Sequence, residues 1–364
     1  MRAKSSAFVA GAAGVVLAAG QASGAAPVRV SLVRDQLDPI AGRGWTAELR
    51  VRPSSFKGAV RVTASGPKRF AVRAAGGRGS YHARLVFPVA GRWRLTASAG
   101  ASTSRLGSVL VRKPAPTPLT FVWPTSIDVE PDGALLLVEN GLTRVLRIDA
   151  ATGRETTIAS AIPKAYAVAR APSGSIFVSG AHVLLRLDGT GAPVVVAEAE
   201  ADIGPIAVGS NGDVYFSTET QIFRLSAGGG PPVLVTGTSA RLGRPHGLAV
   251  AGDGALLVSD TDNNRLLRID AATGAVTTLA QVGTPDGIDV ATDGTIYVVD
   301  ARSKRVVHLS ATGEPLGFAG PAFANPYDVE VGPGGVVYVV DTAVSGRVLR
   351  VAPDGTVTTL SHRP

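Results

Sequence analysis

The chain contains no cysteine. Disulfide staples, thiolate nucleophiles, cysteine-ligated zinc and a lipid-modified cysteine behind an export signal are thereby excluded. Lysine is nearly as scarce, with 6 residues against 30 arginines, a skew that a GC-rich genome produces without functional pressure. Charged residues of both signs make up 18% of the 364 positions and the hydrophobic class 45%. This composition excludes a disordered chain and allows two domains with a large buried core. Membrane-spanning runs are missing too. The apolar stretch AFVAGAAGVVLAA, Ala7 to Ala19, falls short of the roughly 20 residues that cross a bilayer. Behind Arg2 and Lys4 it has the form of an export signal, residues 1–26, with cleavage expected between Gln21 and Ala26. The mature chain is expected to have no transmembrane span and to be secreted, periplasmic or cell-wall associated.

What the chain has in quantity is a repeat. PHGLAVAGDGALLVSDTDNNRLLRIDAATGAVTTL, Pro245 to Leu279, reads as four short strands separated by turn signals. Its first turn glycine recurs as Gly133, Gly174, Gly212, Gly254, Gly294 and Gly335, at spacings of 38 to 42 residues. A four-stranded unit of this size cannot bury both of its faces alone, so the copies must stack. The expected fold is all-β, a six-bladed β-propeller over 119–364.

Residues 27–112 lack the period and hold about seven strand candidates, which predicts an immunoglobulin-like β-sandwich. KPAPTP, 113–118, is expected to be an extended linker. Charge changes sign there. Residues 27–117 hold 17 Lys or Arg against 3 Asp or Glu, and residues 118–364 hold 17 against 25. Arginines alternating with apolar residues, as at Arg50, Arg52, Arg61, Arg92 and Arg94, belong on one solvated sheet face. That face offers a site for an anionic envelope polymer, or is simply a solvated surface. No nucleic-acid motif accompanies it.

SYHARLVFPVAGRWRLTAS resembles the end of YtkA-like or FixH-like exported modules through Tyr81, Ala90, Gly91 and Trp93. The repeat resembles NHL repeats through Pro245, Gly247, Gly254, Asp260, Asn263 and Arg265, and the likeness extends over about 240 residues. PDGIDVATDGTIYVVD is similar to the six-bladed group that contains the gluconolactonase and senescence-marker enzymes. These resemblances imply that inner strands begin at the mouth of a central channel. The residues placed there are Thr125, Tyr166, Gly204, His246, Asp286 and Tyr327. A second ring of strand ends includes Glu139, Asp260 and Asp300, each five residues before an arginine, which suits a structural clasp.

Thr125, Tyr166, His246, Asp286 and Tyr327 are the expected ligand-binding set, and His246 and Asp286 the candidates for catalysis. The same two would hold a divalent metal, calcium or zinc, the one cofactor suggested. Gluconolactonase-type enzymes are implied to hold their metal with a glutamate, two asparagines and the PDG aspartate; Asp286 alone matches. Peptide-amidating lyases use three histidines, of which only His246 matches. The expected function is therefore an exported recognition propeller for a peptide, glycan or protein at the envelope. The alternative is a metal-dependent hydrolase or lyase acting on a lactone or carbohydrate-like substrate.

Overall fold

The computed structural model describes residues 28–33, 39–113, 117–149, 151–188, 193–235, 242–343 and 346–362. The expected export signal lies outside these residues, as do residues 114–116 of the expected linker. The chain divides into two compact units between Ala115 and Pro116.

Seven strands build the first unit: β1 (Arg29–Leu32), β2 (Gly44–Arg52), β3 (Val60–Ser65), β4 (Arg69–Gly77), β5 (Ser80–Val86), β6 (Gly91–Ala99) and β7 (Ser102–Val111). Apolar residues alternate with polar ones along them, so one face is buried and the other solvated. The order is β1-β2-β5-β4-β3-β6-β7 in one continuous sheet. β4 joins the halves, pairing with β3 through Arg69–Ala74 and with β5 through Ala75–Gly77. The Val30 amide donates to Ser104 Oγ at 3.1 Å, bringing the edge strands together. The expected immunoglobulin-like sandwich is supported in part: β1-β2-β5 and β3-β6-β7 form two halves, and β4 joins them into a single sheet curled toward a barrel. The physical reason is the nine-residue length of β4, which reaches both neighbours in turn.

Trp93 is fully buried at the centre of this unit, edge-on to Phe87 and Phe70 at 5.3 and 5.5 Å between ring centroids. Tyr81, also buried, donates from its hydroxyl to the Phe56 carbonyl at 3.2 Å. Trp93→Ala is expected to cost about 3–5 kcal/mol. Two-transition denaturation of the full chain should show the loss in the first unit's transition alone.

The second unit is a ring of six four-stranded antiparallel sheets, each formed from one continuous stretch of chain. All six turn glycines named from the sequence adopt left-handed backbone, with φ from 74° to 91°. The second strand of a blade is covered by neighbouring blades on both faces, so it reads as an unbroken apolar run; every residue of Leu135–Glu139 and Leu256–Asp260 is buried. Outer strands such as Pro315–Phe318 are exposed throughout. Six separate apolar clusters fill the six interfaces between blades. The ring is therefore held by face-to-face burial, blade by blade.

The ring closes by face packing of its first and last blades. Leu135, Leu137 and Leu146 of the first blade pack directly on Val336, Tyr338 and Val340 of the last. To this the structure adds a terminal ribbon that the sequence did not reveal. Ser361–His362 pairs with Thr117–Pro118, and the Leu119 amide donates to the Leu360 carbonyl at 3.0 Å. The last two residues of the expected linker thus belong to the ring.

Candidate functional site

The inner strands of blades 1, 4, 5 and 6 start at Pro124, Pro245, Pro285 and Pro326. In each, the pairing to the second strand slips just after the proline: Pro245 pairs with Asp260 but Gly247 pairs with Ser259. Equivalent slips occur after Pro124, Pro285 and Pro326. The extra residue in each bulge is Thr125, His246, Asp286 or Tyr327. A bulge turns its side chain out of the normal alternation, and here that direction is the channel mouth.

The structure brings the expected residues together. His246 Nδ1 lies 2.7 Å from Asp286 Oδ1. The Tyr327 hydroxyl donates to the Tyr166 hydroxyl at 3.3 Å, and the Tyr166 hydroxyl in turn donates to the His246 carbonyl at 3.4 Å. Thr125 Oγ1 donates to the Tyr166 carbonyl at 2.7 Å. Tyr166, His246 and Tyr327 stand on alternate blades, their ring centroids 6.3, 6.4 and 6.5 Å apart. Three rings in a triangle close the channel at this level. Gly204 has no side chain to contribute.

A cavity lies on either side of this layer, and Thr125, Tyr166, His246 and Tyr327 line both. The outer basin, about 360 Å³, is rimmed by Trp123, Lys164, Asp202, Glu219 and Arg244. Trp123, Lys164 and Arg244 each sit at the position before the proline, or its equivalent, with φ of 52°, 52° and 46°. That left-handed backbone costs a non-glycine residue on the order of 1 kcal/mol, and it tips the side chains toward the mouth. Trp123 is 63% exposed. The sequence reading missed this rim; its signal was the residue preceding each entry proline.

The inner channel, about 250 Å³, holds a second group that the sequence reading missed: Asp128, Asp289, Asp328 and Glu330. Three of them tie neighbouring blades together. Asp289 Oδ2 accepts the Val331 amide at 2.8 Å, Asp328 Oδ2 the Ile127 amide at 2.9 Å, and Asp128 Oδ2 the Arg170 amide. Burial pushes Asp128 up to about 6 and Asp289 and Asp328 to about 7, against the lowering effect of these amides. Burial likewise raises Glu330 well above the usual range, helped by Asp289 and Asp128. Burial raises the phenols of Tyr166 and Tyr327 as well, so both are neutral donors at physiological pH. IDVE, IDVA and YDVEV carried the signal, as carboxylates within runs otherwise apolar.

The second ring is structural where it pairs. Arg144 Nε meets Glu139 at 2.5 Å and Arg265 Nε meets Asp260 at 2.7 Å. Asp341 is clasped by Arg347, six residues on, at 3.0 Å. The pair expected between Asp300 and Arg305 is not formed: Asp300 accepts the Ser303 amide at 3.1 Å, and Arg305 lies over the Phe318 ring at 4.6 Å. Among the described residues no three His, Asp or Glu side chains are arranged to hold a metal ion. His246 and Asp286, the expected metal pair, lie in hydrogen-bond contact through Nδ1 and Oδ1.

The stretch 242–269, which contains this histidine, matches the family model of the NHL repeat. Blade 4 is an NHL repeat. The NHL signature residues Gly247, Asp260, Asn263 and Arg265 fall where the blade needs them: Asp260 accepts the Gly243 amide at 2.6 Å and holds both Asn263 and Arg265. Solved propellers are similar to 62–68% of the chain. A streptogramin B lyase aligns at 20% identity and TM-score 0.54, covering 68% of this chain and 86% of its own. A gluconolactonase from Xanthomonas campestris aligns at 18% and 0.53, covering 62% and 85%. Regucalcin, a calcium-binding protein from Agrobacterium tumefaciens, aligns at 18% and 0.52 over the same shares. Among curated proteins nothing matches. Likeness at these identities establishes the propeller fold, and chemistry has to be argued from the site.

Proposed function

We propose that this chain is an exported recognition protein whose propeller binds a peptide, glycan or protein segment in the basin at the channel mouth. One observation carries the reading: the Tyr166, His246 and Tyr327 triangle floors the basin, so a ligand stops there and meets the rim. The rim offers an exposed indole at Trp123, a guanidinium at Arg244 and the Glu219 carboxylate, a mixture suited to recognition of polar chains. Screening the full chain on glycan and peptide arrays would identify the class bound. Trp123→Ala and Arg244→Ala are each expected to weaken that binding by about tenfold or more. A bound class indifferent to both substitutions would place the ligand elsewhere and sink the reading.

A second reading is favoured by the His246 and Asp286 contact. The carboxylate accepts the Nδ1 proton, fixing the tautomer whose Nε2 is a base. With the imidazole 24% exposed, Nε2 can take a proton from a substrate carbon or from water, the steps of a lyase or hydrolase. Lactones and carbohydrate-like esters are the substrates to try, by analogy with the gluconolactonase and lyase propellers. Metal analysis and a lactone panel on wild type and Asp286→Ala separate the two readings. Binding without turnover supports recognition; turnover reduced at least about 100-fold by Asp286→Ala establishes catalysis.

A further inference from the structure

The arginines of the first unit are placed differently from those of the propeller. In the ring, several guanidiniums are engaged by carboxylates: Arg144 by Glu139, Arg186 by Asp188, Arg265 by Asp260 and Arg347 by Asp341. Both units come from one genome, so codon bias accounts for the number of arginines and not for this difference. Register assigns six to the outer face of the β4-β3-β6-β7 half. Arg61 lies opposite Arg73 and Ser98, Arg94 opposite Ser65 and Ser108, Arg69 opposite Ser65, and Arg105 opposite Thr96; Arg92 is two residues from Arg94. All six are exposed. Among the described residues no carboxylate lies within ion-pair distance of any of them; the described acidic residue of this unit, Glu48, is on β2.

Geometry and chemistry restrict what such a face can hold. Four strands span about 14 Å, and Arg69 and Arg73 are about 13 Å apart along β4. This is a broad grid of charge on a curved sheet face, too wide for one small anion and matched to a chain with repeated charges. Arginine with serine and threonine is the donor set that meets phosphate oxygens. The face presents no exposed aromatic ring on which bases would stack. A broad sheet face of this kind also inserts no helix or ribbon into a duplex groove.

We propose that the β4-β3-β6-β7 face binds a linear phosphodiester polymer without bases, a polyol phosphate of the cell envelope. The inference is independent of what the channel mouth binds. The test uses the full chain and purified polyglycerol phosphate. Affinity should fall linearly with salt on a log-log plot. Arg61→Gln/Arg73→Gln/Arg94→Gln should lower affinity at least tenfold and reduce the slope by about 2. Arg69→Gln/Arg92→Gln/Arg105→Gln, at independent positions on the same face, should do the same. Arg50→Gln/Arg84→Gln, on β2 and β5 in the other half of the sheet, should change affinity less than twofold. Absence of binding at 50 mM salt, unchanged affinity in both triple variants, or equal affinity for polyglutamate or duplex DNA would each overturn the proposal.

Discussion

Acidification from pH 8 to pH 5 raises the melting temperature of the propeller, by about 5 °C or more for a stabilisation of a few kcal/mol. The cause is the buried carboxylate group of the inner channel. In the unfolded chain aspartates titrate near 3.8, whereas burial moves Asp128 to about 6 and Asp289 and Asp328 to about 7. Between those limits the folded state holds more protons than the unfolded state, so stability falls as pH rises. The contribution is complete below pH 4 and lost as pH passes 7. Arg170 borders the channel with its guanidinium against Glu130 at 3.4 Å, and its charge lowers Asp128 by less than burial raises it.

An opposing effect sets the acid limit. Asp149, Asp270 and Asp354 lie in exposed turns between the third and fourth strands, held below the usual range mainly by backbone amides of the same turns. Their contribution is present above the ordinary carboxylate range and disappears as pH falls through their folded values. Stability should therefore peak near pH 5. Asp128→Asn/Asp289→Asn/Asp328→Asn keeps an oxygen for each interblade amide and removes three of the four raised carboxyls, leaving Glu330. Its melting temperature should fall less steeply than wild type from pH 5 to 8, and be higher than wild type at pH 8. A wild-type profile that rises with pH over this range would show the channel carboxylates to be ionised and otherwise compensated.

Gly287→Ala is expected to destabilise the ring by about 3 kcal/mol. A Cβ at this position would meet Asp328 Oδ1 at 2.1 Å and Asp328 Cα at 2.5 Å. The second contact is with backbone, so relief requires blades 5 and 6 to separate. That movement pulls on the Asp289 bond to the Val331 amide, which joins the same two blades, and displaces the adjacent Asp286 from His246. Gly254→Ala gives the comparison: φ is +84° there and nothing lies within 4 Å of the added carbon. Its cost should be near 1 kcal/mol, from backbone strain alone. Equal losses in the two variants would show that the strand approach at Gly287 carries no special constraint.

Much of the architecture was legible because it repeats. Six turn glycines at nearly constant spacing report a local requirement, left-handed backbone, that six blades satisfy in the same way. The apolar second strands were legible for a related reason, since burial on both faces leaves no polar alternation. The curled sheet of the first unit was harder to read. Its seven strands follow from alternation, but which strands β4 pairs with depends on long-range register, and RFAVRAAGG shows no break where the partner changes from β3 to β5.

The candidate site divides along the same line. Sequence by itself determined that His246, Asp286, Tyr166, Tyr327 and Thr125 occupy one equivalent position in successive blades, because a repeat fixes position within its unit. Only the tertiary structure decided what they do there. Closure of the ring sets three aromatic rings into a triangle, places His246 Nδ1 2.7 Å from Asp286, and encloses four carboxylates contributed by blades 1, 5 and 6. Spacing along a chain fixes neighbours within a blade, and bonds between blades exist only once the six copies meet around a common axis.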